Sequence, residues 1–146
     1  MHLYEVSNKM SNIFHCAILA GDLDQTVTFY VDVLGCRRDN FEAGKWADID
    51  FWGNELTLHQ SATRTIPESH DVDMGKVAVP HFGVHLEKSV YENIKSRLTE
   101  QGIDFLDDPY TRFAGTDYEQ QTFFIEDPNG NVIEIKSMSN PGKGLN

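Results

Sequence analysis

The stretch FFIEDPNGNVIEIK, residues 123–136, reads as strand, tight turn and returning strand. Two apolar runs flank Asp127, Pro128, Asn129, Gly130 and Asn131, a cluster dense in turn-forming residues. Neighbouring side chains of a strand point to opposite faces. Ile133 and Ile135 therefore share one face of the returning strand and Glu134 takes the other. A carboxylate in mid-strand is costly to bury without a partner. The rest of the chain has to supply that partner.

The chain has 146 residues, 40% of them apolar and 11% aromatic, which suits one globular domain or two small half-domains. Twelve basic against 23 acidic residues leave a net charge of −11. That balance opposes binding to nucleic acid or to an anionic membrane surface. No apolar run approaches the roughly 18 residues of a spanning helix. The start, MHLYEVSNKMSN, lacks an apolar signal core, and residues 1–12 read as a loose leader. Cys16 and Cys36 fit no paired-cysteine metal pattern and read as small packed residues. The expected setting is cytoplasmic, with reduced thiols.

From residue 13 the pattern is strand, helix, three strands. The first strand puts Phe14, Cys16 and Ile18 on one face and His15, Ala17 and Leu19 on the other. Asp22 caps a helix, with Gln25 at the reciprocal capping position, and Gly35 ends it. Strands are expected at 36–41, 46–52 and 55–60; in the last, Glu55, Thr57 and His59 share a face. Residues 61–78 show no periodicity and read as a linker or lid. At residue 79 the plan restarts. A strand over 79–86 carries His81, Gly83 and His85 on one face. A helix follows, with Ser89 and Glu92 as a capping box and Gly102 at its end. A short strand is expected at 103–106, a polar and aromatic loop at 107–120, then the closing hairpin, with a loose tail over 139–146. The expected fold is α+β, one domain over residues 13–138 made of two βαβββ modules, 13–60 and 79–138. Each helix covers one face of its sheet. His15, His59, His81, His85 and Glu134 fall by parity on the faces left to line a cavity.

Three segments, GDLDQTVTFYVDVLG (21–35), PHFGVHL (80–86) and FFIEDPNGNVIEIK, resemble in order and separation the vicinal-oxygen-chelate superfamily. That superfamily groups glyoxalase I, extradiol dioxygenases, fosfomycin-resistance thiol transferases and bleomycin-binding proteins. The resemblance implies a cupped mixed sheet around one divalent metal, be it iron, zinc, nickel or manganese, and a homodimer acting on a small molecule. The family's ligand positions fall on His15, His81 and Glu134. Two imidazoles and a carboxylate leave coordination positions open, and an open metal polarises a substrate oxygen.

The remaining candidates are less sharply placed. A glyoxalase-type site has a fourth ligand on the strand over 55–60, where His59, Thr57 and Glu55 all compete. Glu55 and His59 are also the candidate catalytic groups, as a base beside the metal. His85 shares the His81 face but lies roughly two steps further along the strand, at about 6.6 Å per two residues. Tyr110, Arg112, Tyr118 and Gln120 fall in the loop before the hairpin, where substrate contacts often sit. Arg112 suits a substrate carboxylate. Ring cleavage would require a tyrosine where this chain has Phe124 and a histidine near Glu55 or Leu56. The expectation is therefore a metal-dependent lyase or isomerase of glyoxalase type or a dioxygenase, with a ligand-sequestering resistance-type protein as the alternative.

Overall fold

The computed structural model describes residues 12–72 and 75–144. The first module runs β1 (His15–Gly21), α1 (Leu23–Thr28, continued by a π-helical turn Phe29–Val33), β2 (Arg37–Glu42), β3 (Trp46–Phe51) and β4 (Asn54–Gln60). A separate hairpin follows, β5 (Glu68–Val72) with β6 (Gly75–Val79). The second module runs β7 (His81–His85), α2 (Lys88–Glu100), β8 (Asp107–Arg112), β9 (Gln120–Glu126) and β10 (Val132–Met138), and α3 (Pro141–Gly144) closes it. The sheets are ordered β1-β4-β3-β2 and β7-β10-β9-β8. In each, the first strand pairs in parallel with the fourth and the others are antiparallel. The repeat suggested by the order of elements is thus present in the strand pairing. No helix among the described residues is long and apolar enough to cross a membrane.

Several local signals act as expected. The Asp22 carboxylate accepts the Gln25 amide at 2.9 Å and caps α1. In the π-helical turn the Leu34 amide reaches the Phe29 carbonyl, five residues back, at 3.1 Å. Ile133 and Ile135 enter a core with Tyr30, Ile49, Leu58, Tyr91, Leu98 and Phe123. Both modules contribute to this one cluster.

Four expectations need correction. Residues 61–78 are not a featureless linker, because they hold the β5–β6 hairpin. Its β5 side chains are exposed throughout, so no burial rhythm marks it in the sequence. The short strand expected over 103–106 falls instead at β8, where a loop was expected. β8 is an edge strand with a register shift between Asp107 and Tyr110, around Pro109. An edge tolerates a residue without an amide proton. Helix α2 starts at Lys88 with Glu87 as its N-cap and no side-chain cap bond, so Ser89 and Glu92 form no capping box. The tail beyond Ser139 is tied down at its base: the Ser139 amide donates to the Glu119 carbonyl at 2.9 Å and its hydroxyl to the Glu119 carboxylate at 2.7 Å.

The β9–β10 turn binds the modules together. One Asp127 oxygen accepts the Asn129 and Asn131 amides, both at 2.9 Å. The other accepts the Asn131 side-chain amide at 2.8 Å and the Tyr30 hydroxyl at 2.9 Å. Asn129 and Asn131 then donate to the Leu19 carbonyl of β1 at 2.9 and 2.7 Å. Burial raises the Asp127 carboxyl above its ordinary range, and these four donors pull it back. Replacing Asp127 with Ala strands a buried phenol and two amides, with an expected loss of roughly 3 kcal/mol in urea unfolding. Tyr30→Phe, which removes one donor, should lose about 1–2 kcal/mol in the same measurement.

Candidate functional site

Glu134 is buried, 7% exposed at its side chain, on the sheet face opposite the core residues Ile133 and Ile135. The pairing of β10 fixes its surroundings. Glu134 stands opposite Phe124 on β9 and Gly83 on β7, and Val132 stands opposite His81. Gly83 is required there, since a Cβ would meet the Glu134 carbonyl oxygen far inside contact distance. The Thr122 hydroxyl donates to Glu134 Oε2 at 2.7 Å. On the other oxygen, Oε1, His81 Nε2 lies at 3.3 Å and Lys136 Nζ at 3.5 Å. His81 Nδ1 donates to the Ala78 carbonyl at 2.7 Å, which orients the ring and leaves Nε2 turned to Glu134. The Phe124 ring stands edge-on to His81, 5.3 Å between centroids.

The electrostatics follow from these contacts. Hydrogen bonding to Glu134 raises the His81 imidazole above its ordinary value; burial opposes this and the Ala78 carbonyl reinforces it. Burial pushes the Glu134 carboxyl up, but His81, Thr122 and Lys136 outweigh it and hold it below the usual carboxylate range. His85, opposite Lys136, is lowered by burial and by the lysine charge.

His15 has a different partner. It begins β1 opposite Glu55 on β4, and its Nδ1 lies 2.7 Å from Glu55 Oε1. Both side chains are more than half exposed, 56% and 52%. Each parallel strand pair thus carries one histidine–glutamate pair. It does not bring His15, His81 and Glu134 together within one chain. Among the described residues no three His, Cys, Asp or Glu side chains gather closely enough to hold a metal. The parallel register of β1 with β4, a tertiary fact, picks Glu55 over Thr57 and His59 as the neighbour of His15. His59 sits four residues further along, roughly 13 Å away, opposite Trp46.

Three of the four loop candidates, Tyr110, Arg112 and Gln120, are strand residues, and Tyr118 lies in a turn between β8 and β9. Tyr110 and Arg112 lie on β8 opposite Thr122 and Gln120, so they share the Glu134 face of the second sheet. Gln120 is buried, with its amide nitrogen on the Tyr118 carbonyl at 3.3 Å. Tyr118 is exposed. The β5–β6 hairpin and this sheet line two clefts together. A cleft of about 250 Å³ separates Lys76 and Ala78 from Phe124 and Val132, and one of about 290 Å³ separates Lys76 from Tyr110 and Arg112. A larger cavity, about 830 Å³, opens beside the start of α2 and is lined by none of His15, Glu55, His81 and Glu134. Sequence reasoning missed Thr122 and Lys136, although Lys136 has the parity of Glu134 on the same strand.

Two βαβββ modules, each with a histidine and a glutamate on its parallel strand pair, define a paired-module protein. Residues 12–135 match the family model described as the Glyoxalase/Bleomycin resistance protein/Dioxygenase superfamily, and the chain belongs to that superfamily. Members often use a divalent metal, and they are typically dimers acting on small molecules. Virulence protein STM3117 of Salmonella typhimurium is 25% identical over 134 residues, covering 92% of this chain and 89% of that protein. A glyoxalase/bleomycin resistance protein/dioxygenase from Alicyclobacillus acidocaldarius is similar in structure, with TM-score 0.75 and 31% identity over 93% of this chain and 97% of the other. A lactoylglutathione lyase from Agrobacterium tumefaciens shares the fold at TM-score 0.61 and 21% identity, over 89% and 96% of the two chains.

Thr122→Val keeps the side-chain shape and removes the hydroxyl from a buried carboxylate. Urea unfolding of the metal-free protein should show a loss of about 1.5–3 kcal/mol; a neutral result would mean that Glu134 does not depend on this bond.

Proposed function

We propose that the protein is a divalent-metal-dependent enzyme acting on a small oxygen-chelating substrate, of lyase or isomerase type. The observation that carries this reading is the His81–Glu134 pair. It has the donor set and the supporting contacts of a metal site. The Ala78 carbonyl fixes the His81 tautomer, and Thr122 holds Glu134 by the oxygen turned away from His81. His15 and Glu55 supply one more imidazole and one more carboxylate, more than half exposed. His15, His81 and Glu134 together fit a borderline metal such as zinc, iron, nickel or manganese, with Glu55 beside them.

In this reading the site is shared between two chains of a homodimer. His15 and Glu55 of one subunit meet His81 and Glu134 of the other, and the twofold symmetry of the dimer makes two such sites. The bound metal supplies a Lewis acid for substrate oxygens. Glu55, held by His15, is the group best placed to move a proton beside it, ahead of His59. Tyr110, Arg112 and Gln120 sit on the substrate face, with Tyr118 at its rim. Phe124 disfavours ring cleavage: its ring packs against His81 and offers no phenol at that position.

Metal analysis of protein purified without chelator should give close to one divalent ion per chain, lost in His81→Ala and in Glu134→Gln. An empty native protein would favour the sequestering alternative. Co-expressing His15→Ala chains with Glu134→Gln chains separates shared from single-chain sites. A shared site predicts that mixed dimers recover one intact centre of the two, whereas a site within one chain predicts none. The measurement is metal content of dimers isolated with two affinity tags.

A further inference from the structure

The cavity of about 830 Å³ beside the start of α2 has no part in the metal reading. Its size falls within the roughly 300–1,000 Å³ of small-molecule sites. Its floor is the last row of the second sheet on the helix side. Ser137 on β10 has the parity of the core residues Ile133 and Ile135. It stands opposite Gln121 on β9, which stands opposite Thr111 on β8. Leu86 continues β7 along the same row, its amide donating to the Lys136 carbonyl at 2.7 Å. Helix α2 begins only at Lys88 and its first buried residue is Tyr91, so its opening turn walls the cavity and leaves the floor uncovered. The tail supplies another wall through Ser139 and Pro141, held by the bonds of Ser139 to Glu119. Two polar groups of the floor are uncommitted. Ser137 is 3% exposed, lines the cavity, and its hydroxyl has no hydrogen-bond partner among the described residues. A buried hydroxyl in that state calls for one. Gln121 accepts the Thr111 hydroxyl on its side-chain oxygen at 3.0 Å, which leaves both protons of the amide nitrogen to the cavity. Leu86, Met138 and Pro141 add apolar surface around these groups.

We propose that this cavity is a second ligand site, separate from the metal centre, for a neutral molecule with an apolar body and a carbonyl or amide oxygen. The Gln121 amide and the Ser137 hydroxyl donate to that oxygen, and the body packs against Leu86, Met138 and Pro141. Charge decides against an acid. Glu87, Glu92 and Glu119 stand around the cavity against one ammonium, Lys88. Lys95 offsets Glu92 at 3.2 Å, and carboxylates still outnumber the cation. His85, also on the wall, is lowered by burial and by Lys136 and adds no charge at neutral pH. A carboxylate would give up its hydration inside a negative surround, whereas a neutral carbonyl loses less and meets the same two donors. An ammonium suits the charge but has no lone pair for the Gln121 amide. Nothing in the inference depends on a metal at Glu134.

The test titrates the full-length protein, as purified, and follows its backbone amides by NMR. The probes share one body: cyclohexanecarboxamide, cyclohexanecarboxylate and cyclohexylmethylammonium. The carboxamide should shift the amides of Leu86, Lys88, Gln121 and Ser137 and leave those of His81 and Glu134 in place. It should bind roughly fivefold or more tightly than either charged probe, the equivalent of about one hydrogen bond. Gln121→Glu keeps an acceptor for Thr111 and removes the donor, and should erase the preference over the ammonium. Ser137→Ala should weaken the carboxamide about threefold or more and leave the ammonium unaffected. Unchanged amide positions away from the cavity show that both variants are folded. Shifts centred on the Glu134 face, or no binding by any probe, which leaves the cavity to water alone, overturn the proposal. So does a charged probe that binds as tightly as the carboxamide, a preference over the ammonium that survives Gln121→Glu, or a carboxamide affinity unchanged by Ser137→Ala. Metal content is no readout here, so failure of this test leaves the metal reading standing.

Discussion

The Asp127 carboxylate is the contact on which the rest of the structure depends. It is a buried charge with four donors, drawn from its own turn and from Tyr30 of α1. Left alone it would be costly; saturated, it fixes the turn and the helix against each other. The two asparagines of the same turn extend the connection to the Leu19 carbonyl on β1. One five-residue turn of the second module thus grips the helix and the edge strand of the first. The position of β10, and with it of Glu134, is set relative to both modules by this turn.

That rigidity matters because Glu134 lies on the face away from the core. A carboxylate buried on the open side of a sheet survives only where its partners are already in place. β10 is flanked by β9, which brings Thr122, and by β7, which brings His81. Gly83 lets the β7 backbone lie close against Glu134. Lys136 comes from the same strand. The partners come from three strands of one sheet, so the turn that fixes β9 against β10 also orders most of the pair's surroundings.

Much of this was legible in the residues. The alternation of Ile133, Glu134 and Ile135 places the carboxylate on the face away from the core, and Asp22 caps its helix as its position requires. The paired βαβββ plan follows from element order. What stayed hidden has physical reasons. β8 is a polar edge strand with a proline, and the β5–β6 hairpin has little to bury, so neither writes an apolar rhythm into the sequence. The partner of His15 stayed open among Glu55, Thr57 and His59 because all three share a face. Only the register of a parallel pair, which joins residues some forty positions apart, separates them. Thr122 was missed for a related reason: its significance lies across the sheet, opposite Lys136, and not in its own neighbours.

The two histidine–glutamate pairs are not equivalent, and the difference has consequences for any metal they hold. The His81–Glu134 pair is largely shielded from water, with side-chain exposures of 25% and 7%, and has its supporting hydrogen bonds in place. The His15–Glu55 pair is more than half exposed, where an ion pair contributes little and its geometry is loosely held. In a shared site the first pair is pre-organised, and the second gains order only when another surface covers it. Metal affinity and association of chains are then linked, because each supplies what the other requires. By linkage, metal tightens the association by the same factor by which association tightens metal binding. In that reading, a duplicated fold with one finished half-site and one unfinished half-site acts as a single functional unit at the level of the dimer.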